Sequence, residues 1–147
     1  MFDRLGAEDW LVLDEASDDI VDWSVFTSVR AELGANFIRI LGYFREDGEK
    51  AVARIEEAMH RRDAAAMVLP AHTMKSEAKQ FGAMPLSLLA EEIEAVARRS
   101  VETRLPPDEI LPQVARLRPI YERTIALLDQ RANPLQTRRP AAFGRRG

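Results

Sequence analysis

In the stretch Ala71-His72-Thr73-Met74-Lys75-Ser76-Glu77-Ala78-Lys79-Gln80-Phe81-Gly82-Ala83, an imidazole and an ammonium stand three residues apart. On a helix that spacing makes the two side chains neighbours on one face. Near neutral pH an unperturbed imidazole is largely unprotonated and able to attack phosphorus, and an ammonium one turn on would offset the charge of a phosphoramidate product. Reversible phosphoryl transfer is the chemistry this pair suits. The chain shows no Gly-rich phosphate cradle, no P-loop and no Asp/Asn cluster typical of a magnesium site. It needs no cofactor of its own on this reading, and both the phosphoryl donor and a magnesium ion are expected on a partner.

The helix that must position the pair is predicted from Asp63, its N-cap, to Phe81, with Gly82 just past the end. At 100° per residue, Met67, Ala71, Met74, Ala78 and Phe81 fall in one narrow arc, which marks the buried stripe. His72 points roughly 140° away from the centre of that stripe, with Val68, Lys75, Ser76 and Lys79 on the same side. This excludes a satisfied core histidine and leaves an ordinary surface histidine or a reactive one. Three neighbours favour the reactive reading: Lys75 itself, the outward apolar pair Val68 and Leu69 one turn back, and the small residues Ser76 and Ala78 beside the ring.

The rest of the chain predicts a helical frame for this face. With 147 residues and 46% apolar content, one compact domain with a single core is expected. Apolar residues recur at three- and four-residue steps, and no segment alternates at strand length. The first helix is predicted over residues 24–33, capped by Asp22 or Ser24 and closed by Gly34. A second begins near Asn36, carries Phe37, Ile40, Leu41 and Phe44 on one stripe, and continues to His60 or Arg61 with a bend expected near Gly48. After the histidine helix, Pro85 suits the first turn of a fourth, with Leu86, Leu89, Ile93 and Val96 inward. Arg104-Leu105-Pro106-Pro107 reads as a rigid connector to a last helix, from Asp108 to about Gln130, with a kink expected at Pro119. The expected fold is all-α: an antiparallel up-and-down four-helix bundle with an additional N-terminal helix.

Three parts follow: an acidic N-terminal arm over 1–21, the bundle over 22–132, and a basic flexible tail over 133–147. Whether Trp10, Leu11, Val12 and Leu13 pack as a strap or a short helix is left open. The formal net charge of −3 argues against nucleic acid as a partner. Cysteine is absent, which excludes disulfide and thiolate chemistry. The two histidines, His60 and His72, lack a local partner for a metal site, so none is expected. No apolar run reaches the ~18 residues of a membrane span, and no signal-peptide core is evident, so a soluble cytoplasmic protein is expected.

His72, Met74, Lys75, Ala78, Phe81 and Gly82 resemble, in register, the motif of the histidine-containing phosphotransfer (HPt) domain of multistep phosphorelays, approximately H-x-L/M-K-G-[small]-[small]-x-x-[apolar]-G. The likeness extends from about Asp22 to Gln130: residues 29–34 look like the family's entry helix, 38–44 its second-helix start, and Asp63 its cap. The resemblance implies that His72 accepts the phosphoryl group and Lys75 stabilises it. It implies that Glu94 orients the imidazole from the next helix, fixing its tautomer and raising its basicity. Two departures stand out. Ser76 replaces the glycine after the lysine, adding a hydroxyl able to donate to a phosphoryl oxygen. Glu77 and Lys79 replace small residues, and Glu77, on the other flank of the stripe, is expected to pair with a neighbouring helix.

The implied function is a phosphotransfer intermediary without its own ATP-dependent kinase activity, moving a phosphoryl group between receiver-domain aspartates. Val68, Leu69 and Lys79 would help form the docking face for response regulators or hybrid kinases, and a monomer is expected. The alternative is a phosphorylation-independent module that binds and sequesters a response regulator through the same face. A kinase dimerisation domain fits less well, because no ATP-binding domain follows.

Overall fold

A computed structural model describes residues 17–133. The arm expected over 1–21 therefore lies outside the described residues up to residue 16, Trp10 to Leu13 included, and the tail from residue 134 onward. Among the described residues five helices have both ends in view: α1 (Trp23–Leu33), α2 (Phe37–His60), α3 (Ala64–Gln80), α4 (Met84–Thr103) and α5 (Leu111–Ala132). No strand occurs among the described residues. The helices α2, α3, α4 and α5 pack in a ring, each on the next and α5 back on α2, while α1 lies across α2 and α3.

Side-chain pairings show the direction of the helices. Arg45 of α2 pairs with Asp129 of α5, and further along α2 Glu49 and Glu56 pair with Arg118, so the two helices run oppositely. His72 meets Glu94 while the Lys75 carbonyl meets Ser87, so α3 and α4 are antiparallel as well.

The helix ends obey local chemistry. Asp22 caps α1, its carboxylate accepting from the Ser24 and Val25 amides. Asp63 caps α3 through the Ala66 amide. Gly82 ends α3 at φ 82°, where an added Cβ would stand 2.6 Å from the Asp22 carbonyl oxygen. The same place ties α1 to α3, because the Asp22 amide donates to the Gly82 carbonyl at 2.8 Å. Residues 17–20 are helical, and Ile20 and Val21 are buried, so the core already begins ahead of Asp22.

A chain of aromatic contacts runs through the core: Trp23 on Phe26, Phe26 on Phe37, Phe37 on Phe81, Phe81 on Phe44, and Phe44 on Tyr121, with centroids 5.1 to 6.4 Å apart. Phe81, at the end of the histidine helix, is fully buried at its middle. The chain thus joins α1, α2 and α5 to the end of α3.

Several expectations change in detail. Gly48, near which a bend is expected, lies inside α2, where its missing Cβ makes room for the Tyr121 ring; a Cβ would lie 2.5 Å from Cε1. Pro119, near which a kink is expected, lies inside α5, and that helix starts at Leu111 after a 3-10 turn at Asp108–Ile110 instead of at Asp108. Val96 is only partly buried, and Ala90 and Ala97 complete the inner face of α4 beside Leu86, Leu89 and Ile93.

Candidate functional site

The helix α3 turns Met67, Ala71, Met74 and Ala78 fully into the core, as the stripe requires. His72 is consequently on the surface, its side chain 50% exposed. Pro70 lies inside α3 two residues before it and removes the amide that would bond to the Ala66 carbonyl. Across the groove α4 brings Glu94, whose side chain is only 6% exposed.

Glu94 is the hub of the site. Its Oε2 lies 2.9 Å from His72 Nδ1. The same oxygen accepts from Arg98 Nε at 3.0 Å and Nη2 at 2.8 Å. Its Oε1 is 2.9 Å from Lys75 Nζ, an ion pair on the oxygen that neither Arg98 nor His72 takes. Burial alone would raise the Glu94 pKa, but the contacts with Lys75, Arg98 and His72 outweigh it and hold the carboxyl at about 2. Glu94 is thus ionised at neutral pH. A carboxylate can only accept, so in this contact Nδ1 is the donor, and in the neutral form of the ring the lone pair lies on Nε2.

The register between α3 and α4 is fixed beside this hub. The buried Ser87 hydroxyl donates to the Lys75 carbonyl at 2.9 Å, pinning α4 to the turn that carries the lysine.

Of the residues singled out in the sequence, His72, Lys75 and Glu94 come together. Ser76 and Lys79 are exposed on the same helix but join no hydrogen bond or ion pair with the hub. Leu69 is 71% exposed, and Leu88 on α4, not singled out in the sequence, is 53% exposed. Val68 is less outward than expected: at about 100° from the stripe it is partly buried against the core. Glu77 is corrected too. It makes no ion pair or side-chain hydrogen bond among the described residues; burial and then the nearby Asp47 raise its pKa. Arg98 and Ser87 were missed. Arg98 had a local signal, standing four residues after Glu94 on one helix, whereas nothing along the chain marks Ser87.

No three His, Cys, Asp or Glu side chains among the described residues gather as metal ligands. A groove of about 740 Å³ between α2 and α5, lined by Arg45, Tyr121 and Ile125 among others, contains none of the site residues. His72 stands outside this groove, on open surface beside Glu94. Among the described residues no helix is long and apolar enough to cross a membrane.

The chain matches the family model described as the Hpt domain over residues 39–131, and it belongs to that family. The match spans the four-helix ring and leaves α1 outside it. This membership supports a histidine phosphotransfer role in phosphorelays of two-component signalling, with receiver domains as the partners. No curated protein and no solved structure matches the chain.

Proposed function

We propose that this chain is a phosphorelay intermediary in which His72 carries the phosphoryl group between the aspartates of two receiver domains. The observation that carries the reading is the Glu94 contact to Nδ1, which leaves Nε2 of a half-exposed imidazole as the nucleophile. In the forward step the Nε2 lone pair forms a P–N bond while the P–O bond of the donor aspartyl phosphate breaks. The electron pair leaves with the donor carboxylate. The ring keeps its Nδ1 proton and becomes an imidazolium, which the Glu94 carboxylate opposes, and Lys75 offsets the phosphoryl charge. The reverse step hands the group to the second receiver. Magnesium, on this reading, is supplied by the receiver.

Leu69 and Leu88 provide the apolar contacts of a transient docking face, with Lys79 and Ser76 at its polar edge. The protein acts as a monomer in the cytoplasm and does not use nucleic acid. The deciding experiment mixes it with a phosphorylated cognate receiver. Label should move to the wild type as acid-labile phosphohistidine and fail to move to His72→Gln; equal labelling of both would refute the reading. Receiver binding that persists without any phosphohistidine in cells would instead favour a sequestering module.

A further inference from the structure

Two cationic side chains lean on one buried carboxylate at this site, and they are held differently. Arg98 forms two directed hydrogen bonds to Oε2, the oxygen that also meets the imidazole. Lys75 has a single contact, an ion pair with Oε1 at 2.9 Å. Both stand on the open side of the hub, with Lys75 28% and Arg98 55% exposed. From these geometries we infer that Arg98 is a positioning residue, the permanent counter-ion of Glu94 that lets Lys75 leave that carboxylate for the phosphoryl group. The inference rests on the proposed role of His72.

The charges make the exchange reasonable. Before transfer the neutral ring asks Glu94 only for a hydrogen bond, and the carboxylate holds both cations. After transfer the ring is cationic and the phosphoryl group carries about two negative charges, so Glu94 is better matched by the ring and Lys75 by the phosphoryl oxygens. If Lys75 were the only cation on a carboxylate this buried, its departure would strip the carboxylate of a partner at the moment of transfer. Arg98 stays, because its planar fork is already bonded and because it stands a full turn farther along α4, beyond the carboxylate.

The test uses the full chain with potassium phosphoramidate as a small-molecule donor, which removes any dependence on docking. Its P–N bond breaks as the new one to Nε2 forms, and ammonia leaves. Phosphohistidine is followed by ³¹P NMR and the Lys75 ammonium by ¹⁵N NMR, in wild type, Arg98→Gln, Arg98→Lys, Lys75→Ala and the Arg98→Gln/Lys75→Ala pair. Acceptance should slow about 5- to 10-fold in Arg98→Gln and recover most of its rate in Arg98→Lys, and the Lys75 signal should move on phosphorylation of the wild type. In the Lys75→Ala background Arg98→Gln should cost less than about 2-fold, because its effect passes through the lysine. An equal loss in both backgrounds, or an unslowed Arg98→Gln, overturns the inference while leaving His72 as acceptor. A wild type that forms no phosphohistidine, or a His72→Gln variant that forms as much, overturns the reading of His72 and this inference with it.

Discussion

Replacing Glu94 by glutamine tests whether the hub contributes to stability through its charge. A carboxyl held at about 2 in the fold, against an ordinary 4.5, corresponds to about 3 kcal/mol of stabilisation at neutral pH. Glu94 itself is nearly covered, but His72 and Arg98 are half exposed, so solvent screening reduces the figure to ~2 kcal/mol. The sign follows from a depressed acid: the contribution is present above the unfolded pKa and is lost as pH falls from about 4.5 through about 2. Urea unfolding of wild type and Glu94→Gln, repeated between pH 7 and pH 2.5, isolates this group because every other carboxyl is common to both proteins. The variant should be less stable by ~2 kcal/mol at pH 7, and the gap should close toward the acid end. A gap that stays constant across the window would mean that shape, and not charge, holds the hub, and the account of His72 orientation would fail with it.

Gly82→Ala should lower stability by about 2 to 3 kcal/mol in thermal unfolding, since it combines a left-handed backbone with a Cβ driven against the Asp22 carbonyl. Gly48→Ala should also destabilise, by about 1 to 2 kcal/mol, because the Tyr121 ring it meets is fixed by a 2.6 Å hydrogen bond to the Arg45 carbonyl. In a Tyr121→Ala background the same change should become stabilising by about 1 kcal/mol, as helix propensity then acts alone. Glu77→Gln should raise the melting temperature at pH 7 and leave it unchanged well below pH 4: a raised folded pKa means stability is full below the unfolded value and is lost as pH climbs through the folded one. Leu69→Asp should weaken receiver binding measured by titration while acceptance from phosphoramidate keeps its wild-type rate, since the side chain lies on the exposed face and outside the hub.

Much of the frame was legible because it is written in local chemistry. Asp22 and Asp63 announce helix starts by offering carboxylates to free amides, and Gly34 and Gly82 announce ends by adopting positive φ. The stripe of α3 needed only the 3.6-residue period, and it put His72 outside without reference to any other helix. What periodicity cannot supply is the neighbour on each flank. Val68 and Glu77 both stand beside the stripe; one packs partly against the core, and the other lies near Asp47 of α2. Gly48 read only as a place for a bend, because what it makes room for, the Tyr121 ring, is remote in sequence. Glu94 was found through the resemblance, whereas Arg98 required seeing which oxygen of the carboxylate each cation takes.

The site also explains why so small a loop matters. Only Phe81, Gly82 and Ala83 separate α3 from α4, and each is buried. In antiparallel helices joined this tightly, the turn sets which residue of one faces which residue of the other, and one residue of slip would turn Glu94 about 100° away from His72. Ser87 resists that slip from one turn inside α4 by holding the Lys75 carbonyl, and Gly82 resists it from outside by accepting from the Asp22 amide. The geometry at Nδ1 is therefore specified partly by residues that never touch the imidazole. On this argument Ser87→Ala should leave the fold in place but loosen the His72 to Glu94 contact. ¹⁵N NMR would then show a larger share of the ring with its proton on Nε2, together with slower acceptance from phosphoramidate. If the tautomer ratio were unchanged in Ser87→Ala, the three-residue turn alone would be sufficient to set the register.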